Sequence, residues 1–221
     1  MQTRYLIPFL LLFAVSCSKT DENKEQNSRV ETLPFYKEAT FTPDWLEPGS
    51  EDLKGYHQIP SFDLINQLGD TITEATLAGK IYVSDFFFTT CPGICPKMTT
   101  NMGLLQEAFM EDEDVMLLSH SVTPEIDNVA MLLNYAEAKD VKAEKWHLLT
   151  GNRKTIYDLG RQSYFVEEDQ GLEKTEDEFL HTENFVLVDH NRHIRGIYNG
   201  LNKTSVNQLI ADIKTLKKEI L

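Results

Sequence analysis

A buried strand followed at once by two closely spaced cysteines constrains this chain more than any other feature of its sequence. Residues 80–88 read KIYVSDFFF, a nearly continuous apolar run. A strand with this pattern is expected to be buried on both faces, as in a sheet that lies between two layers. The loop TTCPGICP follows directly, with three residues between Cys91 and Cys95. Because ligands collect at the carboxyl ends of strands in α/β sheets, this loop is placed where a functional site is expected.

Strands and helices alternate along the rest of the chain. The sequence predicts further strands as a hairpin in 59–73, a buried strand at 114–122, a short strand at WHLLTG, and a second hairpin that joins ENFVLVD to HIRGIYN. It predicts helices after the cysteine loop, from Thr123 and Pro124 onward, near 154–162, and over roughly 203–220. This alternation predicts an α/β protein with a sheet covered on both faces. The plan is thioredoxin-like with an additional N-terminal β-hairpin.

Apolar spacing indicates the inner face of each helix. The first helix is expected to bury Met98, Met102, Leu105 and Phe109, so core packing explains the two methionines better than metal binding. The second is expected to bury Ile126, Val129, Leu133 and Ala136. The last is expected to bury Val206, Leu209, Ile210, Ile213 and Leu216.

Charge and cysteine content exclude several classes of protein. The chain of 221 residues has 21 basic and 35 acidic side chains, a net charge of −14. A nucleic-acid-binding protein needs a basic face, which this balance opposes. No apolar run past the N-terminus is long enough for a transmembrane helix, and three cysteines are too few for a disulfide-stapled miniprotein.

The first residues have the pattern of an export signal. Arg4 precedes an apolar stretch at 6–15 that is too short to span a bilayer, and small residues lead to Cys17. This predicts a lipoprotein signal peptide at 1–16, with a lipid on the Cys17 sulfur; a plain secretory signal is the alternative. Residues 17–34 are expected to form a flexible, lipid-anchored tether, and 35–221 one domain. We expect that domain on the periplasmic or extracytoplasmic side of a bacterial membrane, where disulfides are permitted.

Prolines shape the cysteine loop. Each cysteine precedes a proline, which disfavours helix in the residue before it. We therefore expect the helix to start at Pro96, with Cys95 as its cap and both sulfurs at the helix N-terminus, where thiolate is favoured. Two thiolates can form a disulfide or hold a soft metal. A purely stabilising disulfide is disfavoured because its loop would be very small.

A third ligand would distinguish metal binding from redox exchange, and the histidines supply candidates. His181 ends the long acidic loop EEDQGLEKTEDEFLH, and a long loop without its own pattern is often functional. His120 lies late in a buried strand, as either a satisfied core histidine or a neighbour of the site. His147 is expected to pack at a strand start, and His190 and His193 to be solvated in a hairpin turn.

The segment FFFTTCPGICPKM resembles the cysteine signature of the Sco/SenC family, copper chaperones for cytochrome c oxidase. The similarity continues through SVTPEIDN and HLLTG to FLHTENFVLVD, and covers roughly residues 56–216. The resemblance implies a thioredoxin-like fold and one copper, Cu(I) or Cu(II), per monomer. It implies Cys91, Cys95 and His181 as ligands, and a Cys91–Cys95 disulfide in the oxidised, metal-free form.

The same resemblance implies partners. They are cytochrome c oxidase subunit II or another exported copper protein, and a thiol reductant of the thioredoxin type. The protein would deliver copper to the binuclear site of subunit II or reduce the cysteines of that site. Two residues depart from the family's pattern: Thr123 and Leu180 each stand where an aspartate is common. Thr123 leaves open whether the metal has a fourth ligand, and Leu180 suggests a less hydrated environment for His181.

Two other functions are consistent with a cysteine pair. One is a thiol–disulfide oxidoreductase acting on exported proteins, although thioredoxins have two residues between their cysteines and a Trp-Cys-Gly-Pro context. The other is a peroxidase of the peroxiredoxin type, to which Thr90 is suited but the CPxxCP spacing and the His181 segment are not.

Asp85 lies in the apolar strand, six residues before Cys91. Thioredoxins, which this chain resembles, have a buried acid at the same offset. A buried carboxyl group has a raised pKa and would be able to exchange a proton with a cysteine without being a metal ligand. An exposed acid, or one bonded to a backbone amide, is the alternative.

Overall fold

A computed structural model of the chain describes residues 27–167, 180 and 182–220. The predicted signal peptide, Cys17 and most of the predicted tether therefore lie outside the described residues, as does His181. Among the helices within those ranges, none combines the length and the apolar character needed to cross a membrane.

A five-stranded sheet lies at the centre of the domain, beside a separate two-stranded hairpin. The hairpin consists of β1 (Asp63–Ile65) and β2 (Thr71–Thr73). The strands of the central sheet are β3 (Ile81–Phe87), β4 (Val115–Ser121), β5 (Trp146–Leu149), β6 (Asn184–Val188) and β7 (Ile194–Asn199). Their order across the sheet is β5-β4-β3-β6-β7. β3, β4 and β5 run parallel, whereas β6 and β7 form an antiparallel edge, as the sequence predicted for the closing hairpin.

Within the described residues, four α-helices pack around this sheet. They are α1 (Cys95–Phe109), α2 (Val129–Lys139), α3 (Arg153–Asp158), which continues as a π-helix over Leu159–Ser163, and α4 (Lys203–Ile220). The apolar faces of α1, α2 and α4 pack on one side of the sheet. The β1–β2 hairpin and α3 pack on the other. Every residue of β3 and β4 is buried between these layers, which confirms the two-sided burial expected from their sequences.

The predicted inner faces of α1 and α4 are largely confirmed. Met98, Met102, Leu105 and Phe109 are all buried, so the methionines are part of the core. In α4, only Ile210 of the predicted stripe is partly exposed. The predicted start of α1 is wrong by one residue, since Cys95 is already helical and Ile94 is the cap. Pro96 is tolerated there because the N–H groups of the first turn have no partner within the helix.

The predicted start of α2 is wrong, and its predicted inner face is confirmed only at Ala136. The helix begins at Val129, where the side chain of Asn128 caps it by accepting a hydrogen bond from the Met131 N–H. Residues from Thr123 to the cap form a turn instead. As a result Leu132 and Ala136 face the core. Of the residues expected there, Ile126 and Leu133 are exposed.

A buried arginine holds the start of the domain to its last helix. Arg195 is 3% exposed, and its guanidinium donates to the carbonyl of Leu33 and to Glu219, each at 2.6 Å. It also pairs with Asp189 at 3.3 Å and lies 3.9 Å above the ring of Phe35. Leu33 is itself buried, so the packed part of the chain starts slightly before the predicted boundary at residue 35.

The hairpin turn beside Arg195 is less exposed than the sequence suggested. His193 is 4% exposed and lies 3.6 Å from Asp189, so the expectation of a solvated side chain is wrong at this position. The cause is long-range, because the N-terminal segment around Phe35 covers the turn.

We expect Arg195→Met to lower the free energy of unfolding by about 3 kcal/mol, because it leaves the carboxylates of Asp189 and Glu219 buried without their partner. Urea unfolding measures the change. Lys154→Met is the matched control, since its ion pair with Asp158 is largely exposed and should contribute at most about 1 kcal/mol. An equal loss of unfolding free energy in Arg195→Met and Lys154→Met would contradict a special role for the buried ion pairs of Arg195.

Candidate metal and thiol site

The two cysteines lie where the sequence placed them, at the carboxyl end of β3. Cys91 is half-buried in the loop after the strand, and its N–H donates to the Phe88 carbonyl at 3.3 Å. Cys95, the first residue of α1, is 5% exposed and packs in the core. Both are free thiols in the described structure. Cys91 is therefore partly accessible at the edge of the core, whereas Cys95 is enclosed within it.

The two thiols differ in acidity. Burial by itself would raise the pKa of Cys91, but hydrogen bonds from the Cys95 thiol and from the backbone N–H groups of Cys95, Gly93 and Ile94 lower it below the ordinary value. Burial raises the pKa of Cys95 to about 12, and its hydrogen bond to Cys91 adds to the rise. Cys91 is thus the more acidic thiol of the pair, and Cys95 is the less acidic one.

Asp85 lies in β3 and is 2% exposed, so the predicted burial is confirmed and the exposed alternative is wrong. Burial raises the pKa of its carboxyl group to about 7. A hydrogen bond from Ser119 lowers the pKa, but this effect is smaller than that of burial. Ser119 in turn accepts a hydrogen bond from the indole N–H of Trp146 at 2.9 Å. Within the described residues the Oδ1 atom of Asp85 has no hydrogen-bond partner. Its charge adds to the raised pKa of Cys95, which couples the acid to the thiol pair.

A second buried carboxylate, which sequence reasoning missed, adjoins the cysteine loop. Asp127 is fully buried. It accepts hydrogen bonds from the N–H of Thr89 at 3.1 Å and from its hydroxyl at 2.5 Å. The hydroxyls of Ser121 and Thr123 donate to it at 2.6 and 3.0 Å. Its only indication in the sequence was a group of hydroxyl residues at the end of β4, where apolar core residues would otherwise be expected.

Three of the histidines considered as possible ligands, His120, His147 and His181, differ in their placement. His120 is fully buried on the opposite face of the sheet from Cys95, stacked on Phe86, and burial lowers its pKa to about 4. Its Nδ1 atom lies 3.1 Å from the Ser84 hydroxyl, whereas Nε2 has no partner in the described part of the chain. His147 is buried, as expected of a packing residue. His181 lies outside the described residues, and within them no three metal-ligating side chains are grouped closely enough to hold an ion.

Leu180, which precedes His181, is 2% exposed. It packs against Gly160 of the π-helix, where a Cβ atom would stand 2.4 Å from Leu180 Cδ1. The leucine is therefore an apolar anchor at a position where the resembled family commonly has an acid.

The sheet order, the helices on its faces and a cysteine pair at the end of β3 define a thioredoxin-like protein with a Cys-x₃-Cys loop. The SCO1/SenC family model matches residues 50–218. The chain therefore belongs to the SCO1/SenC family, as its cysteine and histidine segments predicted. It is 31% identical over 163 residues to the SCO1 protein homolog of Bacillus subtilis, covering 72% of this chain and 82% of that protein.

Solved structures are similar over most of the domain. A SCO1/SenC family lipoprotein from Bacillus anthracis has a TM-score of 0.63 at 29% identity, covering 73% of this chain and 95% of that one. BsSco, a member of the Sco family of cytochrome c oxidase assembly proteins with a disulfide switch, has a TM-score of 0.62 at 30% identity over 73% and 94%. Copper-bound ScoI of Arabidopsis thaliana has a TM-score of 0.54 at 27% identity over 73% and 96%.

We expect Asp85→Asn to remove a specific pH dependence of stability. With its pKa raised, Asp85 stays protonated in the folded state at pH values where the unfolded chain has already ionised. The free energy of unfolding of the wild type should therefore fall between about pH 4 and pH 7, by up to roughly 4 kcal/mol, whereas the asparagine variant lacks this fall. Urea unfolding at pH 5 and pH 8 measures the difference. Asp63→Asn, on the exposed edge of the hairpin, is the control, and identical pH profiles for all three proteins would contradict the role of Asp85.

Proposed function

We propose that this protein is an exported copper metallochaperone for cytochrome c oxidase, which delivers copper to the binuclear site of subunit II or reduces the cysteines of that site. The observation that carries the proposal is the Cys91–Cys95 thiol pair on the loop after β3. Membership of the SCO1/SenC family supports it, together with a copper-bound relative and a relative that assembles the oxidase. Its role is binding and transfer, and copper is its cargo.

The proposed ligands are Cys91, Cys95 and His181. Two thiolates and an imidazole suit a three-coordinate Cu(I), and one added oxygen ligand gives the coordination that Cu(II) accepts. The lowered pKa of Cys91 makes its proton the easier one to displace, whereas the raised pKa of Cys95 makes loss of its proton the harder step in binding. Asp85, with a pKa of about 7, is a carboxylate beside the pair that can take up that proton. The hydroxyl of Thr123 donates to Asp127, so this side chain is already engaged at the position where an aspartate is common.

A second function, thiol–disulfide exchange on exported proteins, is supported by the unequal acidity of the two cysteines. In this reaction the Cys91 thiolate attacks a partner disulfide and releases one partner thiol. Cys95, after losing its proton, then attacks the Cys91 sulfur and releases the second partner thiol, so that the partner is reduced and the Cys91–Cys95 disulfide forms. A thiol reductant of the thioredoxin type would restore the two cysteines.

We expect the reduced protein to bind one copper per monomer in an anaerobic titration, and to lose it in Cys91→Ser and Cys95→Ser. Cu(II) spectra should show a sulfur-to-metal charge-transfer band. His181→Ala should lower the affinity by about tenfold or more, a loss typical of a removed ligand or its supporting shell. His120→Ala is the matched control, because His120 is buried on the other face of the sheet. Asp85→Asn should keep the copper stoichiometry.

The opposite result for the two histidine variants would show that His120 is the ligand. Loss of copper in Asp85→Asn without unfolding would make Asp85 a ligand as well. Insulin reduction or peroxide turnover without copper would favour the oxidoreductase or the peroxidase over the metallochaperone.

We also propose that the mature protein is anchored to the membrane through a lipid on Cys17. The signal pattern before Cys17 supports this, and so does the similarity to a SCO1/SenC family lipoprotein. Mass spectrometry of the membrane-extracted protein should find an N-terminal cysteine that carries diacylglycerol, and Cys17→Ser should be released from the membrane fraction. A soluble wild-type protein cleaved at another residue would contradict the anchor.

A further inference from the structure

A single buried carboxylate joins the cysteine loop to the end of the neighbouring strand. Asp127 lies directly before the cap of α2, and its carboxylate receives two hydrogen bonds from Thr89, two residues before Cys91. From the other side it accepts hydrogen bonds from the hydroxyls of Ser121, the last residue of β4, and of Thr123, which lies just after the strand. The cysteine loop, β4 and the start of α2 are thus connected through one side chain.

This arrangement is energetically demanding. A fully buried carboxylate is costly unless hydrogen bonds replace the water it has lost. Each donor to such a group contributes more than a hydrogen bond between neutral partners. Because two of the donors belong to Thr89, the backbone leading to Cys91 cannot move without breaking bonds to a buried charge.

We propose that Asp127 is a positioning residue that fixes the cysteine loop through Thr89, so that the two sulfurs are held together for disulfide formation and for copper binding. The proposal deepens the proposed thiol and copper chemistry and rests on it. Asp127 touches neither sulfur. It acts by limiting the conformations of the segment before Cys91, which raises the effective concentration of one thiol at the other.

Two hydroxyl deletions on the same carboxylate test the proposal. Thr89→Val removes a donor that belongs to the cysteine loop. Ser121→Ala removes a donor at a similar distance that belongs to β4. In both variants urea unfolding should show a similar loss of stability, whereas only Thr89→Val should loosen the cysteine loop. Amide hydrogen exchange of residues 89–91 in the full chain measures that loosening.

The decisive readout is the reduction potential of the metal-free protein in dithiothreitol redox buffers. There, oxidation removes two electrons and two protons from Cys91 and Cys95, and the oxidised reagent accepts them. Thr89→Val should lower the equilibrium constant for disulfide formation by roughly three- to tenfold, the effect of one lost charge-assisted hydrogen bond that is partly compensated. A tenfold change corresponds to about 30 mV toward a more easily reduced disulfide. Copper(I) affinity, measured by competition with a chromogenic chelator, should fall in the same variant, while Ser121→Ala should change both quantities less than twofold.

Asp127→Asn provides a second measurement. In that background Thr89→Val should have a smaller effect on the potential than in the wild type, because the amide oxygen of asparagine accepts more weakly than a carboxylate. Faster hydrogen exchange in Thr89→Val with unchanged potential and copper affinity would show that Asp127 only stabilises the fold, and would overturn the proposal. Equal shifts in Thr89→Val and Ser121→Ala would overturn it too. A wild-type protein that forms neither the disulfide nor a copper complex would instead contradict the proposed function.

Discussion

Burial of β3 on both faces is the constraint on which the rest of the structure depends. An apolar strand of this kind must be covered on each side, so α1, α2 and α4 pack on one face while the β1–β2 hairpin and α3 pack on the other. Its carboxyl end is then the place where the backbone leaves the core and where the cysteine loop reaches the surface. The partly exposed Cys91 and the buried Cys95 are a direct consequence, because α1 carries the second cysteine back onto the sheet.

The two polar residues within this strand show how the alternation of side chains separates two environments. Ser84 points to the face where His120 is stacked among aromatic rings. Asp85 points to the face of α1 and Cys95, where desolvation raises its pKa. The strand therefore separates two environments. His120 lies among aromatic rings on one face of the sheet, and Asp85 lies on the other face, near the thiols. Only the second is positioned to influence cysteine chemistry.

Membership of the SCO1/SenC family accounts for the fold and the cysteine loop. At the two positions where this chain departs from the family's pattern, the contacts of the side chain show what the replacement residue does. Thr123, at a position where an acid is common, donates to Asp127 and completes the set of partners around a buried carboxylate. Leu180, at another such position, is buried against Gly160 instead of facing water. Thr123 therefore contributes a hydrogen bond, and Leu180 contributes apolar packing, at positions where the family commonly has a charge.

The sequence by itself determined the order of strands and helices, the two-sided burial of β3 and β4, the position of the cysteine pair and the family. These features depend on local periodicity and on short motifs, which are legible along the chain. Tertiary structure decided that Asp85 is desolvated, that His193 is covered by the segment around Phe35, and that α2 starts at Val129 and not at Thr123. It also decided that Asp127 receives donors both from nearby Ser121 in β4 and from Thr89 of the cysteine loop, 38 residues away in sequence. The reason is that burial and hydrogen bonding of a polar side chain depend on which segments meet in space, and the pattern of neighbouring residues does not contain that information.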